Sequence, residues 1–174
     1  MQEDLGAALV AALPRLRRYA LALSRSGDIA DDLVQGACER ALAARGPADA
    51  ETPLLAWLFT IIRNLWLDRL RRKQTEGVQT DIDEQAELLS GAGSEDERVD
   101  ARRRLEKVQR ALERLPGEQR ELMLLICVEE LSYKEAAAVT GVPIGTVMSR
   151  LARARVRLAE LAGLSGAAAA ASAA

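Results

Sequence analysis

Arginine is the residue whose spacing could carry chemistry in this chain. In residues 132–155, SYKEAAAVTGVPIGTVMSRLARAR, Arg150 and Arg153 fall three residues apart, and Arg157 continues the series. Guanidinium groups repeated on one helix face present planar forks of donors to phosphates and guanine edges. The residues before them supply a support for such a face. Ser132 and Glu135 form a capping box, which starts a helix. Ala136, Ala137 and Ala138 keep that helix slim, and Val139 gives it an apolar contact. Gly141 stands where the chain must turn sharply, and Pro143 cannot continue the first helix. The spacing predicts a second helix from about Ile144, with Val147, Leu151, Ala154 and Leu158 on its buried side. A slim helix, a tight turn and an arginine-faced helix suit docking in a major groove. An ordinary helical hairpin with solvated arginines needs none of these features to coincide.

Other chemistries are poorly served. The chain has no histidine, which removes the commonest general base and metal ligand. Cys38 and Cys127 lie far apart in apolar helical settings and are expected to be buried free thiols. No glycine-rich phosphate loop and no nucleophile–base pair is visible, so an enzyme is not expected. Neither a signal peptide nor a membrane-spanning apolar run is legible, so the chain is expected in the cytoplasm without membrane insertion.

Charge is strongly patterned around a net value of −2. Arg63, Arg69, Arg71, Arg72 and Lys73 stand against the single acid Asp68. Residues 76–100 then hold Glu76, Asp81, Asp83, Glu84, Glu87, Glu95, Asp96, Glu97 and Asp100, with Arg98 as the only base. The C-terminal part is basic again. Basic, acidic, basic along the chain suggests two modules facing nucleic acid across a repelling linker.

The elements that position these residues are expected to be helices throughout. Of 174 residues 49% are hydrophobic and only 3% aromatic, so the cores must be built mainly from Leu, Ala, Val and Ile. The expected fold is all-α: two small helical domains joined by a flexible acidic linker, the second containing the helix-turn-helix. The boundaries expected are 1–75 for the first domain, 76–98 for the linker, 99–164 for the second domain and 165–174 for a disordered tail. The first domain should hold three main helices. One runs through Leu13, Leu16, Tyr19, Ala20 and Leu23, with Pro14 near its start or at a kink, and Gly27 breaks it. The next starts at about Asp28, with Ile29, Leu33, Ala37, Cys38 and Ala41 on its core face. Asp28, Asp31 and Asp32 crowd its N-terminus, where the helix dipole favours negative charge. The third begins near Leu54 and ends strongly basic; the spacing of Trp57 and Trp66 among Leu58, Ile61, Ile62 and Leu65 reads as core packing rather than base stacking. The second domain should hold four helices. Its first is amphipathic through Val99, Leu105, Val108 and Leu112. Its second, after Pro116, places Leu122, Leu125, Ile126 and Val128 in the core. With the linker unable to bury much apolar surface, the two domains are expected to reorient freely.

Three stretches together resemble one family. LPGEQRELMLLICVEELSYKEAAAVTGVPIGTVMSRLARAR is similar to the C-terminal domain of bacterial extracytoplasmic-function (ECF) sigma factors, which binds the promoter −35 element. DIADDLVQGACERAL resembles their RNA polymerase clamp-binding helix, and AWLFTIIRNLWLDRLRR the helix that meets the −10 element. The resemblance covers about residues 5–162, in order and spacing. It implies an alternative sigma factor with core RNA polymerase, promoter DNA and an anti-sigma factor as partners, and with neither cofactor nor catalysis of its own. It implies polymerase contacts at or beside Asp31, Asp32, Val34, Gln35 and Arg40. The loop from Gly46 to Pro53 would capture a flipped base with Asn64 nearby, while Arg63, Arg69, Arg71 and Arg72 track the opening strand. Thr146, Met148, Ser149, Arg150 and Arg153 would face the −35 element, and Lys134 a phosphate. Met148 departs from the family pattern, which often has a basic residue there; its side chain suits a thymine methyl. A sigma-like decoy, which binds an anti-sigma factor without acting on DNA, and a dimeric repressor are the alternatives. The first has no need of both arginine clusters, and the second leaves the N-terminal module unexplained.

Overall fold

The computed structural model describes residues 2–49, 51–76 and 95–163. Among them every regular element is helical: α1 (Gln2–Ser24), α2 (Gly27–Ala44), α3 (Leu54–Glu76), α4 (Glu95–Glu113), α5 (Gly117–Met123), a π-helical turn (Leu124–Val128), α6 (Tyr133–Thr140) and α7 (Ile144–Leu161). Residues 77–94, most of the expected linker, and the expected tail lie outside the described residues.

The N-terminal module packs α1, α2 and α3 on one another. Tyr19 and Phe59 meet at its centre with ring centroids 4.7 Å apart, surrounded by Leu16, Leu33, Ala37, Leu58 and Ile62. Trp66 is buried and Trp57 packs against the same core, as their spacing predicted. Two local expectations need correction. Pro14 lies in the interior of α1 rather than near its start. The hydrogen bond it cannot make would go to the carbonyl of Val10, a residue on the solvent side, so water can take its place. Gly27 does not break the helix; it is the first residue of α2. The break is made by Arg25, at φ 56°, and by Ser26, whose hydroxyl caps α2.

In the C-terminal module α7 packs on α4, α5 and α6. Leu115, Met123, Leu151 and Ala154 form a small core there. The capping box is present: the Ser132 amide donates to Glu135 Oε2 at 2.7 Å, and the Glu135 amide donates to Ser132 Oγ at 3.2 Å. Those bonds to Ser132 hold the Glu135 carboxyl below its ordinary range. Gly141 ends α6 at φ 69°, a left-handed conformation that costs a glycine little. Val128 and Cys127 were expected inside and are exposed, because the π turn rotates them out of the core register. Cys38 is partly buried, and burial together with Glu39 pushes its thiol up.

Free reorientation of the modules is not what the structure shows. Helix α6 lies on α3, and α5 and the π turn lie on α1. Leu122, Leu125, Leu131, Ala136, Val139 and Val147 join the same apolar cluster as Leu16, Tyr19 and Phe59. Apolar area removed from water on closing, which the linker composition does not reveal, opposes the entropy of free tumbling.

Candidate nucleic-acid and polymerase interfaces

The arginine face of α7 divides on inspection. Arg153 is exposed, with its Nε donating to the Ser149 carbonyl one turn back at 3.3 Å. Arg157 is exposed too, and the two flank an open groove lined also by Ala152, Val156, Glu160 and Leu161. Arg150 is drawn toward α5, where it meets Glu118 at 3.1 Å with 26% of its side chain exposed. Ser149 and Met148 face solvent, and the Ser149 hydroxyl donates to the Thr146 carbonyl. Lys134 is exposed near the start of α6. The first turns of α7 therefore present Met148, Ser149 and Arg153 outward from a helix anchored by Val147, Leu151 and Ala154.

Along α3, Asn64, Arg71 and Arg72 are exposed, with Arg71 touching Asp68 at 3.0 Å. Arg69 reaches toward Asp32 of α2 at 3.8 Å. Arg63 stands apart from that track. Its Nε donates at 2.9 Å to Glu121 of α5, and only 21% of its side chain is exposed. The preceding loop is held by Asp49, which accepts from the Glu51 amide and the Thr52 hydroxyl.

Of the residues expected on the polymerase face, Asp31, Asp32, Gln35 and Arg40 are exposed on α2. Asp31 pairs with Arg17 at 2.7 Å, and Gln35 with Glu39 at 3.0 Å. Val34 lies beside that face rather than on it: it is buried, because helical periodicity turns it inward beside Leu33 and Ala37.

Among the described residues, two buried carboxylates, Glu121 and Glu129, each accept from more than one donor of the N-terminal module. Glu129 has a fully buried side chain and accepts from Arg15 Nε at 2.6 Å and Arg18 Nε at 2.8 Å. Arg15 also donates to the Glu129 carbonyl. Glu121 accepts from the Tyr19 hydroxyl at 2.7 Å and from Arg63. Burial, then the adjacent Glu121 charge, hold the Tyr19 phenol well above its usual range. Nearby on α5, burial and the charge of Arg25 lower Arg120, whose Nε is buried without a hydrogen-bond partner. Eight residues separate Glu121 from Glu129, which in an unbroken α-helix would set them about 80° apart. The π turn takes more residues per turn and narrows that offset, so both acids meet the N-terminal module. Their donors lie 58 to 114 residues away in the chain, so no local pattern announces them.

Comparison with known proteins agrees with this architecture. Residues 9–76 match sigma-70 region 2, and residues 105–158 match sigma-70 region 4. The ECF RNA polymerase sigma factor EcfG of Rhodopseudomonas palustris is 39% identical over 159 residues, covering 91% of this chain and 85% of that one. SigM of Mycobacterium tuberculosis is 36% identical, covering 86% and 72%. Among solved structures, the sigma factor RpoE of Bartonella quintana, in complex with the anti-sigma factor NepR, matches with a TM-score of 0.74 at 36% identity, covering 91% of this chain and 96% of that one. CnrH, in complex with the cytosolic domain of CnrY, matches with a TM-score of 0.64 at 27% identity, covering 92% and 88%. With both sigma-70 regions present in helical modules, the chain belongs to the ECF sigma factors, which direct RNA polymerase in transcription initiation.

Proposed function

We propose a division of labour among the helices. Helix α7 reads the −35 element through Arg153, Ser149, Met148 and Thr146, with Arg150 joining once it leaves the exposed Glu118, and Lys134 takes a phosphate. Asn64, Arg69, Arg71 and Arg72 on α3 follow the strand opened at the −10 element, and Arg63 extends that track when it is free of Glu121. Asp31, Asp32, Gln35 and Arg40 on α2 meet the polymerase clamp. Bond making and breaking belongs to the polymerase, and the chain works in the cytoplasm where that enzyme works. An anti-sigma factor is its regulatory partner, as NepR is for the Bartonella protein.

The observation that carries the reading is the outward presentation of Met148, Ser149 and Arg153 from the first half of α7, behind a capped α6 and a left-handed Gly141. No helix among the described residues is long and apolar enough to cross a membrane. Run-off transcription with purified core polymerase on a genomic fragment library tests the assignment. Defined transcripts sharing upstream elements are the expected result. Tight polymerase or anti-sigma binding with no transcript would instead identify a decoy.

A further inference from the structure

We propose that the outer face of α4 is a second nucleic-acid contact, a sequence-independent seat for the phosphate backbone of duplex DNA beside the element read by α7. Such a seat presupposes the sigma-factor reading above and extends it to a helix which that reading leaves idle.

Arg103, Lys107, Arg110 and Arg114 follow one another at steps of four, three and four residues, and all four are exposed. At 3.6 residues per turn these steps keep them within an arc of about 60° and spread them over about 17 Å of helix. A different side of the helix meets the core. Ala111 and Leu115 are buried there, and Leu112 packs with Leu115 into the cluster that holds Leu151 and Ala154 of α7. The basic stripe is therefore presented to solvent by a helix fixed against the reading helix.

Composition does not account for the stripe. Residues 102–114 hold the bases Arg102, Arg103, Arg104, Lys107, Arg110 and Arg114 against the acids Glu106 and Glu113, in a chain whose net charge is −2. Glu106 is drawn to Arg102 at 3.6 Å, off the stripe. A solvated helix face ordinarily mixes signs, because opposite charges four residues apart support the helix and like charges there oppose it. Arg103 with Lys107, and Arg110 with Arg114, are like pairs at that spacing. The helix dipole favours Arg110 and Arg114 near the C-terminus and offers nothing to Arg103 and Lys107, which lie earlier. Repulsion without an internal return points to an anion outside the chain.

The pattern also selects the anion. A row of cations along one helix is the electrostatic footprint of a polyanion. Helix α4 carries no aromatic residue on which an unpaired base could stack, which favours duplex over single strand. A helix docked in a major groove brings its module against the backbone of the same duplex, which carries about one negative charge per 1.7 Å. Contacts to that backbone position a protein without reading sequence.

The test uses holoenzyme assembled from core polymerase and the full chain. One variant combines Lys107→Ala, Arg110→Ala and Arg114→Ala, which removes three charges and keeps strong helix formers. A second combines Lys107→Arg, Arg110→Lys and Arg114→Lys, which keeps the charges. Affinity is measured against salt concentration for a promoter fragment from the run-off screen and for a scrambled duplex of equal length. Methylphosphonate substitution, one phosphate at a time across the −35 element and both its flanks, locates the contacts. The alanine variant is expected to bind both duplexes more weakly by the same factor, with a log–log salt slope shallower by about 2–3. It should also lose sensitivity at a set of phosphates to which the wild type responds, while the charge-keeping variant matches the wild type. An unchanged slope on both duplexes would overturn the proposal, as would failure of the charge-keeping variant to restore binding. Loss confined to the promoter fragment would make the stripe a reader of sequence, and weaker binding to core polymerase with the slope intact would assign it to an acidic protein surface; either result also overturns it. Absence of any transcript from the wild-type holoenzyme would refute the sigma-factor reading instead, while the scrambled duplex still decides the stripe.

Discussion

Arg153 and Arg157 on α7 stand in solvent, whereas Arg15, Arg18 and Arg63 on α1 and α3 close on carboxylates from the opposite module. The residue type is the same and the helical spacing is similar. What differs is the partner, and with it the job: exposed guanidinium groups remain available to a polyanion, while partly buried ones join the two modules. A basic helix in a sequence is therefore two possibilities, and the fold chooses between them by where it places acids that are distant in the chain. Glu129 makes the point, since its donors lie 114 and 111 residues away.

The sharpest way to break this comparison is to remove the inward carboxylate. Glu129→Ala removes the carboxylate from both Arg15 and Arg18 and leaves Arg15 only the backbone carbonyl of residue 129. Deleting one partner of a fully buried ion pair costs about 3–5 kcal/mol, and the partial exposure of both guanidinium groups sets the expected loss at or below the lower end of that range. Urea denaturation of the full chain should show a loss of that size, or an early separate transition as the modules part. Glu106→Ala, which removes an exposed partner of Arg102 on α4, should change stability by less than about 1 kcal/mol. Equal effects from the two would erase the distinction between inward and outward pairs.

The outward set has a complementary signature. Arg153→Ala should leave stability nearly unchanged and weaken binding to −35 DNA by roughly 1–3 kcal/mol, relaxing preference at one base pair. A panel of single-base variants measured at fixed salt distinguishes the outcomes. Uniform loss across the panel would make Arg153 a phosphate contact rather than a reader of bases.

What was legible in advance follows the range of the forces involved. The capping box of Ser132 and Glu135, the turn at Gly141 and the buried stripe of α7 are set within a few residues, and periodicity reveals them. The three-helix and four-helix modules are legible for the same reason. The ends of α1 and α2 were less so: a glycine looked like the breaker, yet Arg25 adopted the left-handed conformation and Ser26 supplied the cap. Cys127 and Val128 were misplaced because a regular helix was assumed where the chain makes a π turn. Val34 was expected on or beside the polymerase face, and its position beside Leu33 decides for beside, since it turns inward. The face-to-face packing of the modules was least legible. It depends on a tertiary match between donors on α1 and α3 and acceptors that follow one another along α5 and the π turn, and no window of sequence contains both sides.

The smallest expected effect refines the comparison most, because it isolates burial from geometry. Arg17 meets Asp31 at 2.7 Å, almost the 2.6 Å of Arg15 to Glu129. Both pairs join an arginine Nε on α1 to a carboxylate oxygen. The Asp31 side chain is 60% exposed, whereas that of Glu129 is fully buried. In high dielectric the attraction is screened, and ordering two solvated side chains consumes much of what remains, so such a pair contributes about 0–1 kcal/mol. Hydrogen bonding to Asp31, then its charge, raises the Arg17 guanidinium further above its already high range. Asp31→Asn should therefore shift stability by less than about 1 kcal/mol, and the shift should shrink as salt is added. The same substitution should weaken association with core polymerase, because Asp31 lies on the exposed face of α2 proposed to meet the clamp, where electrostatic complementarity governs encounter. Denaturation and a polymerase binding titration on one sample set compare the two quantities directly. A stability loss as large as that of Glu129→Ala would mean that distance alone, not burial, sets the strength of these pairs.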